Sequence, residues 1–252
     1  MRDPDILQRF QVVLWRPKSP GNVGSVARAM KNMGFADLRL ADPIAYRDPG
    51  YFEHEAGRLA WSASDLLWCR AEYPSIAAAV ADATLVAGFS VRRPPEHRSA
   101  SPRALAPRLL QAAQDGPVAL LFGQEDIGLT DDLLARCQVL GTIPSSAQYA
   151  SLNLAQAVLL VLYEIRLAAL SAADGAQGSS ASDDEVPTQT QIDACFARLS
   201  GALDDVGYFA GTGRDHMERE LRIALGEVVS SRRGLALIEG IAHRIRLGRR
   251  RA

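Results

Sequence analysis

Metal-ligand spacing is missing from this chain. Its three cysteines, Cys69, Cys137 and Cys195, stand far apart, odd in number and outside any CxxC pair, and its four histidines (His54, His97, His216, His243) are equally scattered. This pattern excludes a disulfide framework and a zinc site, and it predicts reduced thiols and no metal. No run approaches the roughly 18 consecutive apolar residues of a membrane span. The opening MRDPDILQRF carries acids and lacks an apolar signal core, so a cytoplasmic protein with no membrane partner is expected. No GxGxxG follows the first apolar run, which removes the reading of a nucleotide-dependent oxidoreductase. Internal repeats are absent. Lysine occurs only at Lys18 and Lys31, so arginine serves as the general cation and arginine-rich stretches are weaker pointers to nucleic acid than they look.

What is present is an ordinary globular composition: 252 residues, 48% hydrophobic, 23% charged, net charge −1. The near-neutral balance argues against a wholly basic nucleic-acid binder, yet it hides an asymmetry. From Arg214 to the end the chain holds ten arginines against five acids and closes on Arg249-Arg250-Arg251. That tail is either a phosphate-contacting segment or a solvated helix end.

Short apolar runs alternate with helical patterns. Strands are expected at 11–15, 38–41, 84–89, 118–122 and 139–143, with a further one near 66–69. Helices are expected at 23–33, 75–82, 102–114, 130–136 and 152–170. The alternation predicts an α/β fold, a parallel sheet with helices on both faces. The run at 118–122 is apolar throughout, as a central parallel strand requires. The texture changes at 171–187, SAADGAQGSSASDDEVP, which is small, polar and acidic. The division expected is a domain over 1–172, a flexible linker over 173–188 and a small helical C-terminal extension over 189–252. The extension is too small to bury much alone, so it docks on a partner subunit or folds as an appendage.

Three segments concentrate polar residues at strand ends. In the first, Pro20-Gly21-Asn22 leaves a strand and opens a helix. Asn22 suits the N-cap, Gly24 permits close approach of another chain or ligand, and Arg28 and Asn32, four apart, share a helix face. The second, LLFGQEDIGL at 120–129, ends a buried strand at Gly123 and carries Glu125 and Gly128 in a loop, with Thr130 as the next cap. The third, at 143–164, ends a strand at Ile143-Pro144. It opens at Ser151 and Asn153 a helix apolar nearly all round, a pattern that predicts burial. Each segment alone reads as capping and turn chemistry. Together they put Gly, Asn, Ser, Arg and Glu at one edge of the sheet, where open α/β sheets receive ligands.

These stretches, NVGSVARAMKNMGF, LLFGQEDIGL and IPSSAQYASLNLAQAVLLVLYE, resemble in order and spacing the three motifs of the SpoU/TrmH branch of the SPOUT RNA methyltransferases. The resemblance spans roughly residues 10–172. It implies a deep trefoil knot at the C-terminal side of the sheet, an exception to the rule against threading. It also implies S-adenosyl-L-methionine as methyl donor, with S-adenosyl-L-homocysteine as product, and transfer to a ribose 2′-hydroxyl of RNA. The working unit would be a homodimer whose sites are each completed by the other subunit. The linker and helical extension resemble the type that methylates the thirty-second nucleotide of tRNA, in the anticodon loop. Another tRNA position, ribosomal RNA, or a non-catalytic knotted RNA-binding factor are the alternatives.

By the same resemblance, Arg28 stands at the reacting hydroxyl and Asn22 orients Arg28 or the RNA. Glu125 pairs with an arginine or accepts from the substrate, and Ser151 and Asn153 shape the pocket between cofactor and ribose. The cofactor would lie against the backbone of Phe89, Ser90, Val91, Gly123, Ile143, Ala150, Ser151 and Leu152, with Gly123 bare so as to admit it. One departure is visible: where the family type carries Thr-Ser-Ala-Arg, this chain has Phe89-Ser90-Val91-Arg92, which removes any hydroxyl role at Phe89. Arg16, Lys18, Arg92, Arg93, Arg98 and the tail are the candidates for RNA phosphates.

Overall fold

The computed structural model describes residues 4–44, 49–92, 98–175, 186–210 and 213–249. The elements in chain order are β1 (Phe10–Trp15), α1 (Pro20–Met33), β2 (Asp37–Ala41), α2 (Pro49–Ala60), α3 (Ser64–Trp68), β3 (Ala71–Tyr73), α4 (Ile76–Ala79), β4 (Leu85–Phe89), β5 (Ser99–Ala100) and α5 (Pro102–Asp115). They continue with β6 (Val118–Phe122), α6 (Asp131–Leu134), β7 (Val139–Gly141), α7 (Leu154–Gly175), α8 (Gln189–Asp205), α9 (Arg214–Leu225) and α10 (Arg232–Arg249). Seven strands form one sheet in the order β3-β2-β1-β6-β4-β7-β5, and every pairing is parallel.

Alternation along the strands builds two cores. Val118, Leu120 and Phe122 of β6 face the larger one, with Phe10, Val12 and Leu14 of β1 and the buried stripes of α1, α2, α5 and α7. Ala119 and Leu121 face the smaller one, with Val13, Val86, Ile76 of α4 and Leu133 and Leu134 of α6. Burial on both faces is why β6 reads as an uninterrupted apolar run.

Several boundaries differ from expectation. Residues 66–69 are not a strand: α3 occupies Ser64–Trp68 and the strand follows at Ala71–Tyr73. A four-residue apolar run cannot be told from a helical turn by periodicity. α2 was not anticipated, although Phe52, Ala56 and Ala60, spaced by four, form its buried stripe. The cap of α1 is Ser19 rather than Asn22, and its Oγ accepts the Asn22 backbone N–H, with Pro20 in the first turn and left-handed Gly34 closing the helix. Thr130 sits at the N-cap of α6 without a side-chain cap bond.

α7 also departs from expectation. By length and composition alone its residues Leu154–Ala172 are apolar enough to cross a membrane, although Gln156, Glu164 and Arg166 interrupt the apolar run. In the fold it lies against α1 and α5. Val158, Val161, Leu162 and Ile165 enter the core, while Leu159, Leu160, Tyr163 and Leu167 remain exposed. The helix is buried along one stripe, not all round, because it forms the outer layer of this face.

The C-terminal extension has a small core of its own, built on Ile192, Phe196, Leu199, Val229 and Ile238. α8 opens with a full capping box between Thr188 and Gln191. It docks on its own chain. The Gln189 N–H donates to the Ala83 carbonyl (2.7 Å), and the Thr190 N–H and Oγ1 both donate to that of Ala81. Asp193 bridges Arg136 and Arg222, and Arg219 reaches Asp132. Ala83 precedes β4, so this junction lies at the opposite edge of the sheet from the strand ends that carry the three motifs. Of the expected linker, 176–185 lie outside the described residues, and 173–175 continue α7.

Candidate functional site

The C-terminal ends of β4, β6 and β7 open into one cleft of about 350 Å³. Phe89, Ser90, Val91, Gly123, Ile143, Ala150, Ser151 and Leu152 all line it, together with Glu125. Phe122, Gln124, Asp126, Ile127, Leu154 and Ala157, which sequence reasoning missed, complete the wall with Gly128 and with Arg92, a residue expected at RNA phosphate. Most of these neighbour motif residues, and the signal for them was adjacency to a strand end.

The floor is aromatic. The Phe89 ring is buried and stacks on Phe122 with centroids 5.2 Å apart. Gly141 leaves room for it, since a Cβ there would lie 2.3 Å from the Phe89 ring. Phe89 therefore contributes packing to this floor. Ser90 is already engaged: its N–H donates to the Gly141 carbonyl, and its own carbonyl accepts from Thr142 Oγ1.

The loop after β6 folds back on itself. The Gly128 N–H donates to the Gln124 carbonyl (2.7 Å), and Gly128 adopts a left-handed φ of +66°. A Cβ on Gly123 would lie 2.1 Å from the Gly128 carbonyl carbon. The loop itself therefore needs Gly123 bare, whatever lies in the cleft. Gly24 is explained in the same way. A Cβ there would meet the Ala56 carbonyl oxygen at 2.0 Å, so the chain that approaches it closely is α2 of the same protein.

The turn aims Glu125 at the start of α1. Glu125 Oε2 accepts the Lys18 N–H (2.8 Å), and Oε1 accepts the Ser19 N–H (3.1 Å) and Asn22 Nδ2 (2.9 Å). Its partners are backbone amides and an asparagine; no arginine reaches it among the described residues. A carboxylate at a helix N-terminus is favoured by the helix dipole and by the free amides there. Asn22 Oδ1 accepts from Asn153 Nδ2 (2.9 Å). Asn153, rather than Ser151, caps α7, with Oδ1 accepting the Ala155 N–H (2.9 Å). One hydrogen-bonded chain, Glu125–Asn22–Asn153, therefore joins all three motifs. Beside it Lys18 pairs with Asp126, whose carboxyl is held below the usual carboxylate range by that hydrogen bond.

Arg28 is not part of this cluster. It is exposed on α1, does not line the cleft, and has no ion-pair partner among the described residues. Asn32, on the same face, is exposed too. Ser151 lines the cleft as an exposed residue.

The remaining cation candidates divide. Arg16 approaches Asp42 (3.6 Å), and Arg92 stands 3.8 Å from Asp131 with half its surface open. Arg98 is exposed, and Arg93, Arg250 and Arg251 lie outside the described residues. In the extension Arg198, Arg214, Arg219, Arg222 and Arg246 each pair with a carboxylate. These five arginines brace the helices of the extension and tie it to α6.

The sequence profile of the SpoU rRNA Methylase family matches residues 9–163. A Pseudomonas aeruginosa protein named tRNA (cytidine/uridine/adenosine-2′-O-)-methyltransferase TrmJ is 34% identical, over 94% of this chain and 93% of that one. The tRNA (cytidine/uridine-2′-O-)-methyltransferase TrmJ of Pectobacterium atrosepticum is 32% identical, over 94% and 96%. Among solved structures, TrmJ from Z. mobilis ZM4 superposes with a TM-score of 0.76 at 30% identity, covering 94% of this chain and 98% of that one.

Proposed function

The chain belongs to the SpoU rRNA methylase family, and from that premise we propose that it transfers a methyl group from S-adenosylmethionine to a ribose 2′-hydroxyl of tRNA. The expected target is cytidine or uridine at the thirty-second nucleotide, in the anticodon loop, and the reaction runs in the cytoplasm. The observation that carries this reading is the junction at the cleft: the second and third motifs line it, and Asn22 of the first bonds to Glu125 of the second and Asn153 of the third. The length and names of the TrmJ relatives support tRNA as the substrate class.

The cleft suits the cofactor. Its volume falls in the range of small-ligand sites, and Phe89, Val91, Phe122, Ile127 and Leu154 give a purine an apolar wall. Glu125 and Asp126 place negative charge where a sulfonium cation is favoured. When bound, S-adenosylmethionine supplies an already activated methyl group, so the protein has to align the hydroxyl and ease the loss of its proton. Alignment alone contributes roughly 7–11 kcal/mol in well-oriented reactions. The Glu125–Asn22–Asn153 chain is the alignment device in this reading, because it fixes the start of α1 against the start of α7.

Arg28 is the residue assigned to the hydroxyl. A guanidinium cannot act as a base at ordinary pH. It holds the ribose oxygen and an RNA phosphate together while the phosphate takes the proton; the other reading is that it stabilises the developing alkoxide. Because Arg28 stands outside the cleft of its own chain, the site is completed by a second copy, with α1 of one subunit serving the cleft of the other. The exposed stripe of Leu159, Leu160, Tyr163 and Leu167 on α7 offers apolar surface for that homodimer. The division at 1–172, 173–188 and 189–252 belongs to the same reading. So does a trefoil knot over the third motif, supported by β7 lying between β4 and β5 while α7 returns against α1 and α5.

The deciding experiment is transfer of labelled methyl to total tRNA and, separately, to ribosomal RNA, with mapping of the modified ribose. Incorporation at the thirty-second nucleotide of tRNA is expected. Methylation confined to ribosomal RNA overturns the substrate. Absence of S-adenosylmethionine binding at millimolar ligand replaces the enzyme with a non-catalytic RNA-binding factor.

A further inference from the structure

Tyr149 is 81% exposed, more than any other large apolar or aromatic side chain among the described residues. Its position is specific. It belongs to the segment between β7 and α7, and the next three residues, Ala150, Ser151 and Leu152, line the cleft while Tyr149 does not. The ring therefore stands on the rim, outside the cofactor's space.

The segment that carries it is closed by its own hydrogen bonds. The Tyr149 N–H donates to the Ser146 carbonyl (3.1 Å), the Gln148 N–H to Ser146 Oγ (3.3 Å), and Ser145 Oγ to the Ala150 carbonyl (3.0 Å). None of these bonds uses the Tyr149 side chain, whose ring and hydroxyl have no hydrogen-bonding or aromatic partner among the described residues. The fold gains nothing from a large ring here, since a small polar residue would keep the same turn. A ring with only two side-chain torsions, fixed on a closed turn, loses little entropy when a flat partner stacks on it.

We propose that Tyr149 is a stacking platform for an unpaired nucleobase adjacent to the ribose being methylated. This rests on the RNA-methyltransferase reading and deepens it, because it names what the site recognises in its substrate beyond the reacting sugar. A single-stranded loop suits such a platform, because its bases are free to splay onto an aromatic face, and stacking tolerates any base. The proposal also separates two demands at one edge of the sheet: the cleft holds the cofactor, and the rim holds the neighbour of the target nucleotide.

The test compares Tyr149→Ala and Tyr149→Phe in the full chain. Three quantities are read: affinity for unmodified tRNA by fluorescence anisotropy, kcat and KM for methyl transfer, and the S-adenosylmethionine Kd by calorimetry. Tyr149→Ala should weaken tRNA binding about 5- to 150-fold and raise the tRNA KM in step. The cofactor Kd should stay within about twofold, and Tyr149→Phe should retain near wild-type values. Unchanged tRNA affinity in Tyr149→Ala overturns the proposal. So does a parallel loss of cofactor affinity, a phenylalanine variant as weak as alanine, or a change of oligomeric state by light scattering. The anisotropy arm needs no turnover, so a wild-type chain that methylates no tRNA refutes the functional reading while Tyr149 is still decided by binding.

Discussion

Asn22 and Asn153 lie 131 residues apart in sequence and share a 2.9 Å hydrogen bond between their side-chain amides. The same Asn22 side chain donates to Glu125 (2.9 Å). Asn22 thus uses both ends of its amide, one for each of the other motifs. The start of α1, the loop after β6 and the start of α7 cannot move independently while it is in place.

Asn22→Ala removes both bonds, one of them to a charged group, and should cost about 1–3 kcal/mol of stability. Turnover should fall about 10- to 100-fold through misalignment. Asn22→Asp should be worse, because it sets a second carboxylate against Glu125. Thermal melts and single-turnover methyl transfer check both. A double-mutant cycle of Asn22→Ala with Asn153→Ala should show coupling, as expected for groups in one network.

Arg28 is exposed and unpaired among the described residues, so Arg28→Ala should leave the melting temperature and cofactor binding unchanged while abolishing turnover. Arg28→Lys should not rescue, because lysine lacks the planar fork of donors. If the site is shared between subunits, a mixed dimer of an Arg28→Ala chain and an Asn153→Ala chain should regain activity that neither homodimer has. Co-expression with two affinity tags and assay of the purified heterodimer measures this.

Gly123→Ala should destabilise by more than the ~1–3 kcal/mol of ordinary overpacking, because the clash is with backbone and cannot be relieved by a side-chain rotation. Cofactor binding should be lost with it as the 124–128 turn opens. Gly24→Ala should destabilise similarly by separating α1 from α2. Denaturant titration and calorimetry separate folding from binding in each case.

Asp82 gives a pH dependence with a defined sign. It pairs with Arg39, which is 8% exposed and also bonded to Asp37, and the Arg39 hydrogen bonds hold the Asp82 carboxyl below its usual range. Its folded pKa lies below the unfolded value of about 3.9. The stabilisation is therefore complete above that value and is lost as pH falls through the folded pKa. Asp82→Asn should cost about 1–2 kcal/mol at neutral pH, reduced because the Asp82 side chain is half exposed. It should also flatten the fall in stability below about pH 4. Urea titrations from pH 3 to pH 7 on both proteins test this.

Much of the site was legible before the fold was known. The eight residues expected against the cofactor line a single cleft, because they lie at the C-terminal ends of β4 and β6 and in the segment from β7 to α7, and such ends in a parallel sheet converge. The reasons given for individual residues were less secure. Asn22 suits the cap of α1, yet Ser19 holds that position, and of Ser151 and Asn153 at the start of α7 it is Asn153 that caps. Several polar residues in a row all satisfy the capping pattern, and only the backbone path selects one. Glu125, expected to pair with an arginine or to accept from the substrate, meets two backbone amides and Asn22 within the chain. A carboxylate's nearest donor in space carries no mark in sequence. The short α3 and the unanticipated α2 failed for a different reason: their apolar stripes are only two or three residues long.

The sequence by itself determined the alternation of strands and helices, the central place of β6 and the three polar strand ends, since these depend on local periodicity and composition. Tertiary structure alone decided that Gly123 and Gly24 stand where neighbouring backbone leaves no room for a side chain, that α7 buries one stripe and exposes another, and that five of the extension's arginines pair with carboxylates. It also decided that Arg28 stands apart from the cleft. Each of these depends on distances between segments remote in the chain, and such distances are fixed by packing.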